Sequence, residues 1–102
     1  MARETLRKEL IATIAGYLGG RLTKQRARNW AAKVAAKEVF DSNEDLLEDA
    51  LLDILGLDED PRFDTPKDDL ETALACLRGE RPYEVKKVYL PGQQRPALRR
   101  RA

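Results

Sequence analysis

A chain of 102 residues with 42% hydrophobic and 36% charged residues, no histidine and one cysteine has room for one small domain, and it lacks a disulfide framework and the Cys/His donors of a zinc site. Its net charge of +1 excludes little, because the charge is segregated and a partner meets one block at a time. Met1 to Phe40 holds nine Lys or Arg against three acids, Asp41 to Glu80 three against fourteen, and Arg81 to Ala102 seven against one.

Leu6, Leu10, Ile11, Ile14, Tyr17 and Leu18 form one stripe at helical spacing, which predicts a first helix from about Arg3 to Leu18, ended by Gly19 and Gly20. Arg3, Arg7 and Lys8 precede that apolar stretch. Glu4 and Glu9 interrupt it and no small-x-small cleavage site follows, so a leader peptide is not expected. Thr23 offers an N-cap to a second helix reaching Phe40. Its alanines, Ala27, Ala31, Ala32, Ala35 and Ala36, suit a tight hairpin with the first helix.

Asp41 or Ser42 is the expected cap of a third helix, with Glu44 or Asp45 returning the capping bond. Leu46, Leu47, Ala50, Leu51, Ile54 and Leu55 then face inward, Glu48, Asp49 and Asp53 outward, and Gly56 closes the helix. Thr65 and Pro66 read as cap and first turn of a fourth helix to Arg78, with Leu70, Ala73, Leu74 and Leu77 inside and Gly79 as C-cap. After Glu80, Pro82, Pro91 and Pro96 forbid a continuous helix. Tyr83 to Leu90 suits an extended segment over the bundle or one edge strand, and Arg99, Arg100 and Arg101 end a basic tail. The expected fold is an all-α, small, roughly antiparallel four-helix bundle over residues 1–79 with an extended basic tail over 80–102.

Little here points to catalysis. Without histidine and with single Ser42 and Cys76, nucleophile and base cannot be paired in the usual ways, and Cys76 reads as a packed thiol. No glycine-rich phosphate loop is present. The acid-rich loop Asp58, Glu59, Asp60, Asp64 crowds carboxylates as calcium sites do, but an EF-hand register would put Phe63 at the obligatory glycine. A solvated loop anchored by Phe63 is expected instead, with no cofactor or metal.

Two surfaces remain. The acidic face, Asp49, Asp53, Asp58, Glu59, Asp60 and Asp64, suits a basic protein partner. The basic set, Arg21, Lys24, Arg26, Arg28, Lys33 and Lys37 with Arg99 to Arg101, suits a protein or nucleic acid, although on a helical wheel Arg26, Lys33 and Lys37 share a face and Lys24 and Arg28 lie nearly opposite. Basic blocks folding back on the acidic one, or pairing across a homodimer, would relieve its self-repulsion.

The stretch Asp64-Thr65-Pro66, the amphipathic helix after it and Gly79 to Pro82 resembles the end of the colicin-type immunity proteins. Those are small acidic four-helix proteins that bind and block a nuclease toxin; the likeness carries over no functional residue. The reading that results is a non-catalytic, cytoplasmic regulatory or adaptor protein without membrane spans. A small nucleic-acid-associated protein is the first alternative, and an accessory subunit of an enzyme complex the second.

Overall fold

The computed structural model describes residues 1–83. The extended segment expected after Tyr83 and the cluster Arg99, Arg100 and Arg101 lie outside the described residues. Four helices, α1 (Arg3–Leu18), α2 (Lys24–Lys37), α3 (Asp45–Leu55) and α4 (Lys67–Leu77), make an all-α bundle. α1 and α3 each pack on all three other helices, whereas α2 and α4 lie on opposite sides of that pair and do not touch. No described helix is long and apolar enough to cross a membrane.

The core is built from the expected stripes. Leu6, Leu10 and Ile14 of α1, Ala27, Ala31 and Val34 of α2, Leu47, Ala50, Leu51 and Ile54 of α3, and Leu70, Ala73 and Leu77 of α4 are buried in one cluster with Phe40 and Leu57. Each fully buried Leu or Ile contributes about 2 kcal/mol by leaving water. The tight α1–α2 hairpin is not formed as expected. α1 spends most of its buried stripe on α4 and α3, and α2 packs chiefly on α3.

Several boundaries differ from the sequence reading, each for a local reason. α2 stops at Lys37 rather than Phe40, because Glu38 turns to extended backbone and its carboxylate binds Arg3 Nη1 at 2.9 Å and the N-terminal ammonium at 3.2 Å. Phe40 then enters the core. α3 is not capped by Asp41 or Ser42; Glu44 precedes it and accepts the Asp41 amide through Oε1 at 2.8 Å. Only the returning half of the capping box is therefore made. Thr65 does not cap α4: its hydroxyl donates to the Asp53 carbonyl at 2.6 Å, tying the start of α4 to the end of α3. A Cβ on Gly56 would come within 2.6 Å of that hydroxyl oxygen, so glycine here serves close approach rather than a left-handed turn. Gly79, at φ +75°, does take the left-handed conformation after α4.

Two side chains expected on one side of the surface lie on the other. Glu48, read as outward, is 0% exposed, because α3 is surrounded by three helices and has less free circumference than a helix on one flat core. Phe63, read as a loop anchor, is 67% exposed, with the Arg62 guanidinium 5.2 Å from its ring. The loop is held by hydrogen bonds and by Leu57, whose side chain is in the core.

Arg3 is the principal polar clamp. Its guanidinium bonds Glu38, Glu44 and the Val39 carbonyl and sits 5.3 Å from the Phe40 ring centroid, joining the start of α1 to the α2–α3 connection. Burial opposes its charge, but bonds to Glu38 and Glu44 outweigh this and raise its pKa above the ordinary value. Arg7 Nε donates to the Leu77 carbonyl at 2.7 Å, placing a cation on an orphan acceptor at the negative end of α4. Replacing Arg3 by Met leaves the buried Glu38 with the N-terminal ammonium alone, so Arg3→Met is expected to cost about 2–3 kcal/mol, read from urea unfolding midpoints. Adding Glu38→Gln removes the stranded charge, and the double variant is expected to be about 1 kcal/mol better than the sum of the singles. Simple additivity would show that the clamp is not a coupled unit.

Candidate functional site

The start of α4 lies at the end of α3 through the Thr65 bond to Asp53, the end of α4 lies beside the first turns of α3 at Leu46 and Asp49, and between the two helices is a groove of about 420 Å³. Asp49 and Asp53, one helical turn apart, line it from α3; Asp68, Asp69 and Thr72 line it from α4. Leu46, Ala50, Ala73 and Cys76 supply its apolar surface, and Arg81, Pro82 and Tyr83 close one end. Small side chains at Ala50 and Ala73 leave the space, and the four carboxylates on the two helices outnumber the one cation, Arg81.

Tyr83 fixes the closed end. Its hydroxyl donates to Asp49 Oδ2. Burial, then the charges of Asp45 and Asp53, push the phenol above its ordinary value of 10.0, so it remains a donor at neutral pH. Beside it, the buried Cys76 thiol is directed at the Pro82 carbonyl at 3.8 Å. Among the described residues that line the groove there is no imidazole or amine base to activate that thiol. Among the described residues no three Cys, Asp or Glu side chains converge as a metal-holding group. Shape and charge suit it to grip a segment with apolar and cationic side chains.

The sequence-predicted acidic set divides into two parts. Asp49 and Asp53 lie in the groove, whereas Asp58, Asp60 and Asp64 belong to the loop between α3 and α4. That loop is wired internally: Asp64 Oδ1 accepts the Asp58 amide at 2.9 Å, Asp58 Oδ1 the Asp60 amide at 2.8 Å, and Asp60 Oδ1 the Arg62 amide at 3.0 Å. Asx turns of this kind use the carboxylate as a backbone acceptor. Bonds from Arg62 hold the Asp60 carboxyl below the ordinary carboxylate range. Glu59 is left exposed at the loop surface.

The basic set divides as well. Lys24 Nζ donates to Asp64 Oδ2 at 3.0 Å and to the Asp58 carbonyl at 2.9 Å, which commits it to the acidic loop. Arg21 lies 3.4 Å from the Ala15 carbonyl. Arg26, Arg28, Lys33 and Lys37 are exposed and make no ion pair among the described residues. At about 100° per residue Arg26, Lys33 and Lys37 share the outer side of α2, and Arg28 stands apart. Trp30, beside them, is tied to α1 by its indole N–H, which donates to Glu9 at 3.3 Å.

Sequence reasoning missed Asp68, Asp69, Thr72, Cys76 and Tyr83 as companions of Asp49 and Asp53. The one signal in the sequence is an acidic first turn on α4 opposite an acidic i, i+4 pair on α3. Local reasoning assigns that turn wholly to the helix dipole.

Acid sensitivity follows from the two anchoring carboxylates. Burial alone would raise Glu38, but Arg3 and the N-terminal ammonium outweigh it and hold it below its ordinary value of 4.5. Burial likewise opposes Asp64, and the Asp58 amide and Lys24 hold it below its ordinary 3.8. A carboxyl depressed in the folded state binds protons less readily than in the unfolded chain. Its stabilisation is full above those ordinary values and is lost as pH falls through the lower folded ones. Stability by urea unfolding is therefore expected to be flat near neutrality and to fall below about pH 4.5. The variant Glu38→Gln with Asp64→Asn should be less stable at pH 7 and lose less on acidification. An unchanged acid limb would place the effect elsewhere.

The chain matches no family model, no curated protein and no solved structure, so the likeness of Asp64 to Pro82 to the immunity proteins gains no support from them.

Proposed function

We propose that this protein is a non-catalytic regulatory or adaptor module whose α3–α4 groove receives a short basic segment of a protein partner. The observation that carries the reading is the groove itself, with apolar side chains between Asp49 and Asp53 on one helix and Asp68 and Asp69 on the other. Its volume of about 420 Å³ falls within the roughly 300–1,000 Å³ of ligand clefts and holds a few side chains. Apolar contact supplies affinity there, and the carboxylates select cations, speed encounter and exclude acidic competitors. The wired loop at Asp58 to Asp64 is a framework of this reading rather than its contact surface.

A second reading has its own observation, the exposed Arg26, Lys33 and Lys37 on one side of α2 without ion pairs among the described residues. Three cations on one helix face suit phosphate contacts but carry no base readout, so nucleic acid would be bound weakly and without sequence preference.

The readings separate on the purified 102-residue chain. For the groove, a tagged copy is used to recover a stoichiometric partner, which is identified by mass and added back to isotopically labelled protein. Amide shifts should fall around Asp49, Asp53, Thr72 and Ala73, and Asp49→Asn with Asp53→Asn should weaken binding about tenfold, the equivalent of roughly 1.4 kcal/mol. The exposed Glu4→Gln should leave it unchanged. Shifts confined to α2, or equal binding by the groove variant, would remove this reading. For α2, Lys33→Gln with Lys37→Gln should lower the salt slope of duplex binding by roughly 2. No retention on duplex DNA at low salt would remove that one.

A further inference from the structure

We propose that the chain's own segment after Tyr83, residues 84–90, docks in the α3–α4 groove and competes there with the partner. This deepens, and as regulation rests on, the reading of the groove as a docking site. The described chain ends inside the groove: Tyr83 lines it, and its hydroxyl is bonded to Asp49 on the α3 side. The next seven residues are Glu84-Val85-Lys86-Lys87-Val88-Tyr89-Leu90, two adjacent lysines among apolar side chains, opposite in sign to the groove.

Length and direction agree. Pro82 lies against Cys76 near the end of α4, so a segment running along the groove heads back toward the start of α4. Cys76 to Asp68 is eight helical residues, about 12 Å. Four extended residues beyond Tyr83 span at most about 14 Å, which brings Lys86 and Lys87 level with Asp53, Asp68 and Asp69. Neighbouring residues of an extended chain project to opposite sides. Lysines on both sides of such a segment suit a groove with carboxylates on both helices, Asp49 and Asp53 of α3 and Asp68 and Asp69 of α4. Tethering keeps the local concentration of this segment high, so a partner must displace it and binds with an affinity reduced by the fraction of time the groove is open.

Two measurements on the whole chain test this. Zero-length carbodiimide coupling joins an amine to a carboxylate as an amide with loss of water, so docking should yield monomeric protein in which Lys86 or Lys87 is joined to Asp53, Asp68 or Asp69, located by peptide mass mapping. The exposed Lys33 serves as control and should not couple to those carboxylates. The same links in covalent dimers would assign the groove to a second copy's segment, and absence of the links would overturn the proposal. A synthetic peptide of residues 84–90 is then titrated in trans. It should bind Lys86→Gln with Lys87→Gln about fivefold more tightly than the unaltered chain, because the internal competitor is weakened, and Asp49→Asn with Asp53→Asn should abolish saturation. Equal affinity for the unaltered and lysine-substituted chains would also overturn the proposal. Intramolecular links combined with partner binding that ignores the groove variants would sink the functional reading alone. Partner binding that needs the groove, without the links, would sink only the docking of the segment.

Discussion

The structure depends on one constraint: its most acidic helix is also its most enclosed. α3 carries Asp45, Glu48, Asp49 and Asp53 within eleven residues and is packed by α1, α2 and α4 at once. A helix in that position must be apolar over most of its circumference, and Leu47, Ala50, Leu51 and Ile54 meet the demand. Its carboxylates are left the remaining arc, and Glu48 does not escape even there. Burying a carboxylate is costly unless charge or hydrogen bonds offset it. The surroundings of α3 are accordingly rich in long-range polar contacts.

Those contacts offset part of the charge segregation along the chain. The first basic block does fold back on the acidic one, but through few residues: Arg3 to Glu44, Arg7 to the end of α4, and Lys24 to Asp64. Each joins elements distant in sequence, and each involves side chains at least partly withdrawn from water, where ion pairs are worth more than on an open surface. Among the described residues the remaining cations of α2 play no part in this compensation. Their position follows from topology: α2 sits on the side of the α1–α3 pair away from α4.

The range of the forces involved decides which parts were legible in the sequence. The four helices, their apolar stripes and the stops at Gly19, Gly56 and Gly79 rest on local periodicity and backbone chemistry, and they stand close to the expected places, the end of α2 at Lys37 instead of Phe40 being the largest departure at a helix end. The failures occur where a distant side chain overrides a local preference. Glu38 leaves the α2 pattern for Arg3, about 35 residues away, and Thr65 gives up its own helix for the Asp53 carbonyl. Glu48 obeyed the wheel but not the number of neighbours, which a wheel does not contain. The groove was invisible for the same reason. Asp49 and Asp53 could be named, whereas their pairing with Asp68 and Asp69 exists only once α4 turns back along α3.

That pairing also explains why a cleft persists there. Facing helices with acids on both inner margins gain nothing electrostatically by closing, since like charges brought together across a poorly hydrated gap repel more strongly. The small residues Ala50 and Ala73 leave room that larger side chains would have filled by contact. A segment bearing amines between apolar residues reverses both terms together, bringing opposite charge to the margins and dispersion contacts to the floor. Lys24 is already committed at the loop, and the exposed lysines of α2 are on the wrong side of the bundle. Arg81 lines one end of the groove beside Thr72 and offsets the four carboxylates only in part. The fold therefore places its acid-lined cleft where the third, basic block begins.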